Sequence, residues 1–444
     1  MCDYPRVPLN ISVIGTNYLG AAHAAGMAEF GHNVIGVDID PQRVATLNAG
    51  RSTIYEDGLE PLLERHTASG RLRFTTDYAE IADWADVHFL CVGTPQSATG
   101  AADLSQVFSA IDTLAPLLTG KPTVIAGKST VPVGTAMRIQ ERLNEIAPIG
   151  PDAQVMWNPE FLREAHAVED TLHPDRIVFG VQSPQTLRLM RRVYAIPLSE
   201  QTPVVECDLA TAELVKVAAN AFLATKISFI NAMAQMCQSA GGDVTVLADA
   251  IGHDKRIGRE FLNAGLGFGG GCLPKDIRAL ASRADELGVD VLSDLIESVE
   301  AINLGQRQEV VDLAVEQLGG EVTGKRIAIL GAAFKPGTDD TRNSPALDVA
   351  DALAAKGAQV CVYDPQARVR HGDIVQAESI AEALTDAELV LHLTEWTLFR
   401  QLDPAEYVSL VKNPLIIDGR LKLDRPRWVE AGWKVVQMGR AATL

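Results

Sequence analysis

One local pattern occurs twice in this chain and limits its fold more than any other feature. A short apolar run, Asn10–Ile14, enters the glycine turn Gly15-Thr16-Asn17-Tyr18-Leu19-Gly20. An alanine-rich stretch then runs to Phe30, Gly31 closes it, and a second apolar run, Asn33–Val37, ends on Asp38. After Gly324 the order returns: Arg326–Leu330 and Gly331, an alanine-rich stretch from Pro345 closed by Gly357, then Gln359–Tyr363 ending on Asp364. Apolar runs of about four to eight residues bounded by glycine read as buried strands. Strand–helix–strand units of about 30 residues pair their strands in parallel through a crossover. Further runs at 87–92 and 123–126, echoed at 388–393, extend both halves. The expectation is an α/β chain with two Rossmann-like, doubly wound domains, whose ligands lie at the carboxyl ends of parallel strands. Thr94, Ser129, Thr130 and Glu160 fall on or near such ends.

Between the halves, 204–240 contains neither glycine nor proline. With Asp208 as N-cap, about 30 helical residues would reach roughly 45 Å. One face would carry Leu214, Val217, Ala221 and Phe222, another Leu223, Ile227 and Ile230. A helix apolar on most sides is expected to be buried on most sides. It would join the domains and offer a contact between subunits.

The 444 residues carry a formal net charge of −18 and no lysine- or arginine-rich run, which argues against nucleic acid and anionic membrane surfaces. An anionic ligand would need cations gathered locally. Cys2, Cys91, Cys207, Cys237, Cys272 and Cys361 form no Cys-x-x-Cys pair, and they are too sparse for a disulfide scaffold. The first ten residues show no apolar signal core, and no apolar run of about 20 residues stands out, so a reducing, cytoplasmic setting is expected. The histidines show no paired metal spacing, and no metal site is expected.

Several motifs could carry chemistry, and each has a plainer reading. Asn17 stands where a dinucleotide fingerprint has glycine; asparagine tolerates left-handed backbone better than most residues. Asp38 suits the ribose 2′-hydroxyl of NAD and repels the phosphate of NADP; the alternative is a glycine turn with a surface aspartate. In the second half Ala332-Ala333-Phe334-Lys335 replaces the fingerprint, so an anion there would be held by Lys335, Arg342 and Arg420. Lys216 and Asn220 share a helix face and suit an oxyanion, or else form an exposed strip. Asn158-Pro159-Glu160-Phe161-Leu162-Arg163-Glu164 is either a helix start or a segment delivering a carboxylate. The arginine, glycine and aromatic residues of 256–268 suit a loop around a base and a diphosphate, or an ordinary surface loop. In Gly267-Phe268-Gly269-Gly270-Gly271-Cys272-Leu273-Pro274-Lys275-Asp276 a thiol follows a glycine run, with a lysine and an aspartate three and four residues on. It is either a nucleophile or a buried turn cysteine. The glycines read as room for a sugar to reach the sulfur.

These motifs, in this order from Gly15 to Arg420, closely resemble the UDP-glucose/GDP-mannose dehydrogenase family, with Ser129-Thr130-Val131-Pro132-Val133-Gly134-Thr135 and 213–231 adding to the match. The resemblance implies an NAD-binding domain over 1–206, a central helical, dimerising domain carrying the cysteine loop over 207–304, and a UDP-sugar domain over 305–444. It implies a four-electron oxidation of a sugar C6 alcohol to a carboxylate with two NAD⁺, through a thiohemiacetal and a thioester on Cys272. Lys216 and Asn220 would stabilise oxyanions. Asp276 and Thr130 would position or activate water, and Glu160 would assist hydrolysis. Gly15, Tyr18, Leu19, Gly20, Asp38, Arg43, Thr94, Ser129, Thr130, Glu164, Lys275 and Arg342 would lie at the cofactor. Glu160, Phe161, Leu162, Lys216, Asn220, Arg256, Phe261, Leu262, Asn263, Gly265, Phe268, Gly269, Lys335 and Arg420 would line the sugar-nucleotide site. The implied substrate is UDP-glucose, with GDP-mannose or UDP-N-acetylmannosamine as alternatives, and the implied assembly is a homodimer or larger homo-oligomer. Gly271 and Leu273 depart from a serine and an aromatic residue common in the family. Two other classes stay open on the residues alone: a two-electron NAD dehydrogenase with a structural Cys272, and a non-catalytic NAD-responsive binder.

Overall fold

The structure, a computed structural model, describes residues 7–369, 372 and 374–440. Residues 1–6, with Cys2 and most of the stretch expected to lack a signal core, lie outside the described residues. The chain divides into two compact units, Met1–Ala219 and Asn220–Leu444.

The first unit holds β1 (Asn10–Ile14), β2 (Asn33–Val37), β3 (Leu72–Thr75), β4 (Val87–Leu90), β5 (Thr123–Gly127), β6 (Ala153–Trp157), β7 (Ile177–Gly180) and β8 (Val204–Cys207), in the order β3-β2-β1-β4-β5-β6-β7-β8. The first six follow the doubly wound dinucleotide-binding order. Helix α1 (Tyr18–Glu29) covers one face, because its glycines and alanines let it lie close to the sheet; Met27 and Ala28 join Ile11, Val13 and Phe89 in that core. Helix α2 (Pro41–Asn48), capped by Asp40, follows β2. Helix α3 (Thr135–Ile146) covers the other face, where Ile139 and Leu143 meet Ile14, Ile125 and Trp157. The expectation of a wholly parallel sheet fails at one place: β7 runs antiparallel to β6. A parallel return needs a crossover, usually a helix. The connection here instead has Ala165 at φ 68° and only the short helix Ala167–Leu172, which packs on α1.

Helix α4 (Leu209–Ala240) runs on from the first unit into the second. Asp208 caps it, accepting the Thr211 N–H at 2.8 Å. Buried Glu213 accepts the N–H groups of Gly134 (2.7 Å) and Ala136 (2.6 Å), fixing α4 to the start of α3. Two expectations about this helix need correction. It is not buried on most sides: Leu214, Phe222, Phe229 and Met236 are 40%, 64%, 50% and 61% exposed. It is also long and apolar enough to cross a bilayer by length and composition, with an 18-residue window of mean hydropathy 1.3. Its few polar residues are diluted among alanine, leucine, isoleucine and phenylalanine. Four of them, Glu213, Lys216, Asn220 and Asn231, are buried, as in a core helix.

The second unit continues with α5 (Leu273–Glu286), α6 (Asp290–Gln317) and α7 (Pro345–Ala355). Its strands are β9 (Arg326–Leu330), β10 (Gln359–Tyr363), β11 (Val375–Gln376), β12 (Leu389–His392), β13 (Leu415–Asp418) and β14 (Lys434–Gln437). They lie in the order β11-β10-β9-β12-β13-β14, parallel throughout, so the topology of the first sheet's first six strands repeats.

Candidate active site

In the first unit the β1–α1 turn forms the cradle expected for a dinucleotide. Gly15 has φ +86°, and a Cβ there would lie 2.9 Å from the Val92 Cα; one on Gly20 would lie 1.8 Å from the Gly15 carbonyl oxygen. Both positions demand glycine, one for the turn and one for helix–strand contact. Asn17 takes φ −75°, ψ −153°, which any residue adopts, so its bulk strains nothing. Asp38, buried at the end of β2, accepts Thr16 N–H (2.9 Å) and Asp40 N–H (3.0 Å) and pairs with Arg43 at 2.8 Å. Burial opposes its ionisation, but those two N–H groups and the Arg43 guanidinium outweigh it and hold the carboxyl below the usual carboxylate range. The α1 N-terminus beside Leu19 and Gly20 favours a pyrophosphate. The Tyr18 hydroxyl is engaged with Glu56 and accepts the Ala165 N–H (2.9 Å), tying down the half-buried Glu164 region. Thr94 Oγ1 donates to the Thr130 carbonyl (2.8 Å) and Ser129 Oγ to that of Val92 (2.6 Å), fixing the ends of β4 and β5 against each other. The glycines, the anion-favouring helix end and the ionised Asp38 fit a dinucleotide with a free 2′-hydroxyl.

Beyond β6, 158–164 forms no helix, contrary to one of its two readings; Pro159 and Ala165 at φ 68° bracket an irregular segment. Asn158 anchors it, donating to the Val178 carbonyl (3.0 Å) and accepting from buried Lys128 (3.2 Å) and from the Tyr194 hydroxyl (2.6 Å). Burial pushes Lys128 down to about 8. Glu160 Oε1 pairs with Lys216 at 3.0 Å, and Oε2 accepts the Leu162 N–H at 2.6 Å. The Arg176 guanidinium stacks 3.7 Å over the Phe161 ring. A cavity of about 550 Å³ is lined by Lys128, Asn158, Glu160, Phe161, Leu162 and Arg176, among others. Lys216 and Asn220 stand one turn apart on α4, and both are buried, so they form no exposed strip.

In the second unit Cys272 is exposed at the N-cap of α5, where the partial positive charge of the helix favours an anion. Its carbonyl accepts the Asp276 N–H at 2.9 Å. The Asp276 carboxylate, 1% exposed, accepts from Asn220 Nδ2 (2.6 Å) and from Lys275 Nζ (2.8 Å). The glycines before the thiol do not leave room for a sugar. A Cβ on Gly269 would lie 2.3 Å from the Asn343 carbonyl oxygen, and one on Gly271 would lie 2.5 Å from the Arg342 guanidinium carbon. They let the loop pack on 342–343, where Arg342 also pairs with Asp340 (2.6 Å).

The 261–269 loop has Phe261 at φ 63° and Leu262 buried, with the Gly265 N–H given to Asn231 Oδ1 (2.8 Å). Phe268 is held by Asn303. Arg420 donates to the Leu393 carbonyl (2.7 Å) and pairs with Glu395 (3.3 Å), and Lys335 lies 5.5 Å from the Phe334 ring centre. Arg259, Asn263, Arg420 and Lys422 are among the residues lining a cleft of about 260 Å³, so an acidic chain does gather cations locally. Arg256 is not brought to this loop; its side chain is 88% exposed and pairs with Asp254. Sequence reading missed Arg259, which donates to the Leu262 carbonyl (3.1 Å) and to Asn263 Oδ1 (3.2 Å). It also missed Asn231 and Asn303. An amide inside an otherwise apolar helix face was the available signal.

The β9 turn is closed to a dinucleotide. Asp364 Oδ2 accepts the N–H groups of Ala332 (2.8 Å) and Ala333 (3.0 Å) and the Trp396 indole N–H (3.1 Å). α7 begins only at Pro345, so no helix N-terminus faces the turn at Gly331.

Comparison with known proteins agrees in order along the chain. Sequence models of the UDP-glucose/GDP-mannose dehydrogenase family match as NAD binding domain over residues 9–197, central domain over 210–304 and UDP binding domain over 328–425. The chain is 42% identical over 442 residues to the UDP-glucose 6-dehydrogenase YwqF of Bacillus subtilis, covering 98% of this chain and 99% of that protein. It is 39% identical over 439 residues to the UDP-glucose 6-dehydrogenase of Rhizobium meliloti, covering 97% and 100%. Among solved structures it is similar to a UDP-glucose dehydrogenase from the hyperthermophilic archaeon Pyrobaculum islandicum, with TM-score 0.91 and 35% identity over 100% of both chains. It is also similar to a UDP-D-ManNAc dehydrogenase from Pyrococcus horikoshii, with TM-score 0.87 and 26% identity over 98% and 100%.

Proposed function

This chain belongs to the UDP-glucose/GDP-mannose dehydrogenase family, and from that premise we propose that it oxidises the C6 alcohol of UDP-glucose to a carboxylate with two NAD⁺. Bound NAD⁺ accepts hydride from C6. The first oxidation leaves an aldehyde. Cys272 Sγ then bonds to the aldehyde carbon, and the oxygen takes a proton, giving a thiohemiacetal. Loss of a second hydride gives a thioester; water attacks it, the carbon–sulfur bond breaks, and the thiolate leaves. Capture on sulfur keeps the intermediate bound and divides a hard step into easier ones.

The observation that carries this reading is the buried Asp276 carboxylate, one helical turn from the exposed thiol and held by Asn220 and Lys275. Burying a carboxylate is costly unless it is paired and hydrogen-bonded, and here it is both. Asp276 and Thr130 position water, and Asn220 and Lys216 steady the negative oxygen. Glu160, paired with Lys216, assists hydrolysis. The basic cleft with Arg259, Arg420 and Lys422 takes the diphosphate. UDP-glucose is favoured over GDP-mannose and UDP-N-acetylmannosamine by the identity to enzymes named for it. A reducing cytoplasm keeps Cys272, free in the structure, available. The decisive assay supplies NAD⁺ with each of the three sugars and counts NADH per sugar consumed. Two NADH with UDP-glucose supports the reading; one NADH, or preference for another sugar, overturns it.

The assembly proposed is a homodimer through α4. Phe222, Phe229 and Met236, seven residues apart, form an exposed apolar row along that helix. Phe229→Glu is expected to shift the chain to monomer in sedimentation velocity; an unchanged sedimentation coefficient would place the interface elsewhere.

A further inference from the structure

We infer that Asn303 is a positioning residue for the thiol loop, acting on the second oxidation more than on the first; this rests on the covalent reading above. Asn303 lies on α6, 2% exposed. Its Oδ1 accepts the Phe268 N–H at 2.7 Å, and its Nδ2 donates to the Phe268 carbonyl at 3.1 Å. One side chain therefore satisfies both polar groups of a single loop residue. Arg307, one turn on, donates to the same carbonyl at 3.0 Å and pairs with Asp348 of α7.

Few side chains can do this. A carboxamide presents a donor and an acceptor in one plane. Aspartate has no donor and would set a charge against the Phe268 carbonyl. Glutamine is longer, and the space is taken: a Cβ on Gly267, itself at φ +87°, would lie 2.2 Å from Asn303 Oδ1. Between Phe268 and Cys272 there are only glycines, with no side chain to anchor the chain. Position is set at two places. Asn303 and Arg307 fix the start, and 342–343 fixes the middle, where the Gly270 N–H donates to the Arg342 carbonyl (2.9 Å) and Asn343 Nδ2 to the Gly270 carbonyl (3.0 Å).

Only the second oxidation needs sulfur bonded to the sugar carbon. A thiol held loosely leaves the first hydride transfer in place and lets aldehyde escape before capture. The test is the count of NADH per UDP-glucose consumed by Asn303→Asp, with aldehyde trapped as its hydrazone. Wild type is expected at two, and the variant falls toward one with matching hydrazone. A merely structural role lowers the active fraction and leaves the count at two; that result overturns the inference. Gly267→Ala presses on the same contact from the loop side and is expected to lower the count likewise, so the test stands if Asn303→Asp does not fold. A wild-type count of one would instead overturn the covalent reading, and this inference with it.

Discussion

Cys272→Ser is expected to lower acid formation by about 10³-fold or more while a first equivalent of NADH still forms. Serine keeps the shape of the site, but at neutral pH its hydroxyl is a far weaker nucleophile than a thiolate. Nothing else described at this loop offers a nucleophile in its place. The remaining described cysteines are Cys91, Cys237 and Cys361, all buried, and Cys207, which is half-buried; burial pushes the Cys91 thiol up to about 12. Stopped-flow absorbance at the NADH band would show a burst near one equivalent per chain followed by a stall, with UDP-linked aldehyde accumulating. Mass spectrometry of quenched wild-type enzyme would show the sugar on the peptide carrying Cys272. Steady turnover by the serine variant at two NADH per sugar would return the thiol to a structural role.

Asp38→Asn is expected to move the preference between NAD and NADP by about 10²-fold toward NADP, read as the ratio of the two kcat/KM values, since a like-charge contact costs several kcal/mol and 1.4 kcal/mol is about tenfold. Asp38 is held ionised by Asp40 N–H, Thr16 N–H and Arg43, so its charge is present throughout the neutral range and repels a 2′-phosphate. Removing the charge also releases Arg43, whose guanidinium then becomes available to that phosphate. An unchanged ratio, with NAD turnover merely reduced, would mean that the ribose lies elsewhere. The amide keeps an acceptor for Thr16 N–H, so the turn itself should survive.

Much of the architecture was legible because its causes are local. Gly15, Gly31, Gly331 and Gly357 punctuate apolar runs of strand length, and both strand orders follow from the repeated unit. The reversal at β7 was not legible, since it depends on where Pro159 and Ala165 send the chain. Spacing placed Lys216 and Asn220 on one face but carried no information about whether that face is covered. The glycines before Cys272 misled for a related reason. Their steric partners, Arg342 and Asn343, lie some seventy residues away in sequence, and a glycine gives no hint of which neighbour it accommodates. Asn303 was invisible in the same way, because its partner Phe268 is 35 positions distant.

The closed turn around Asp364 has a consequence for the order of events. The chain repeats one topology, yet the second copy has spent its aspartate on its own backbone and on Trp396, leaving one dinucleotide cradle for two hydrides. Turnover must therefore pause halfway, while spent cofactor departs and fresh cofactor enters. During that pause the half-oxidised sugar would be free to diffuse away. A covalent tether to sulfur makes the exchange safe, so the thiol serves as a mooring as much as a reagent.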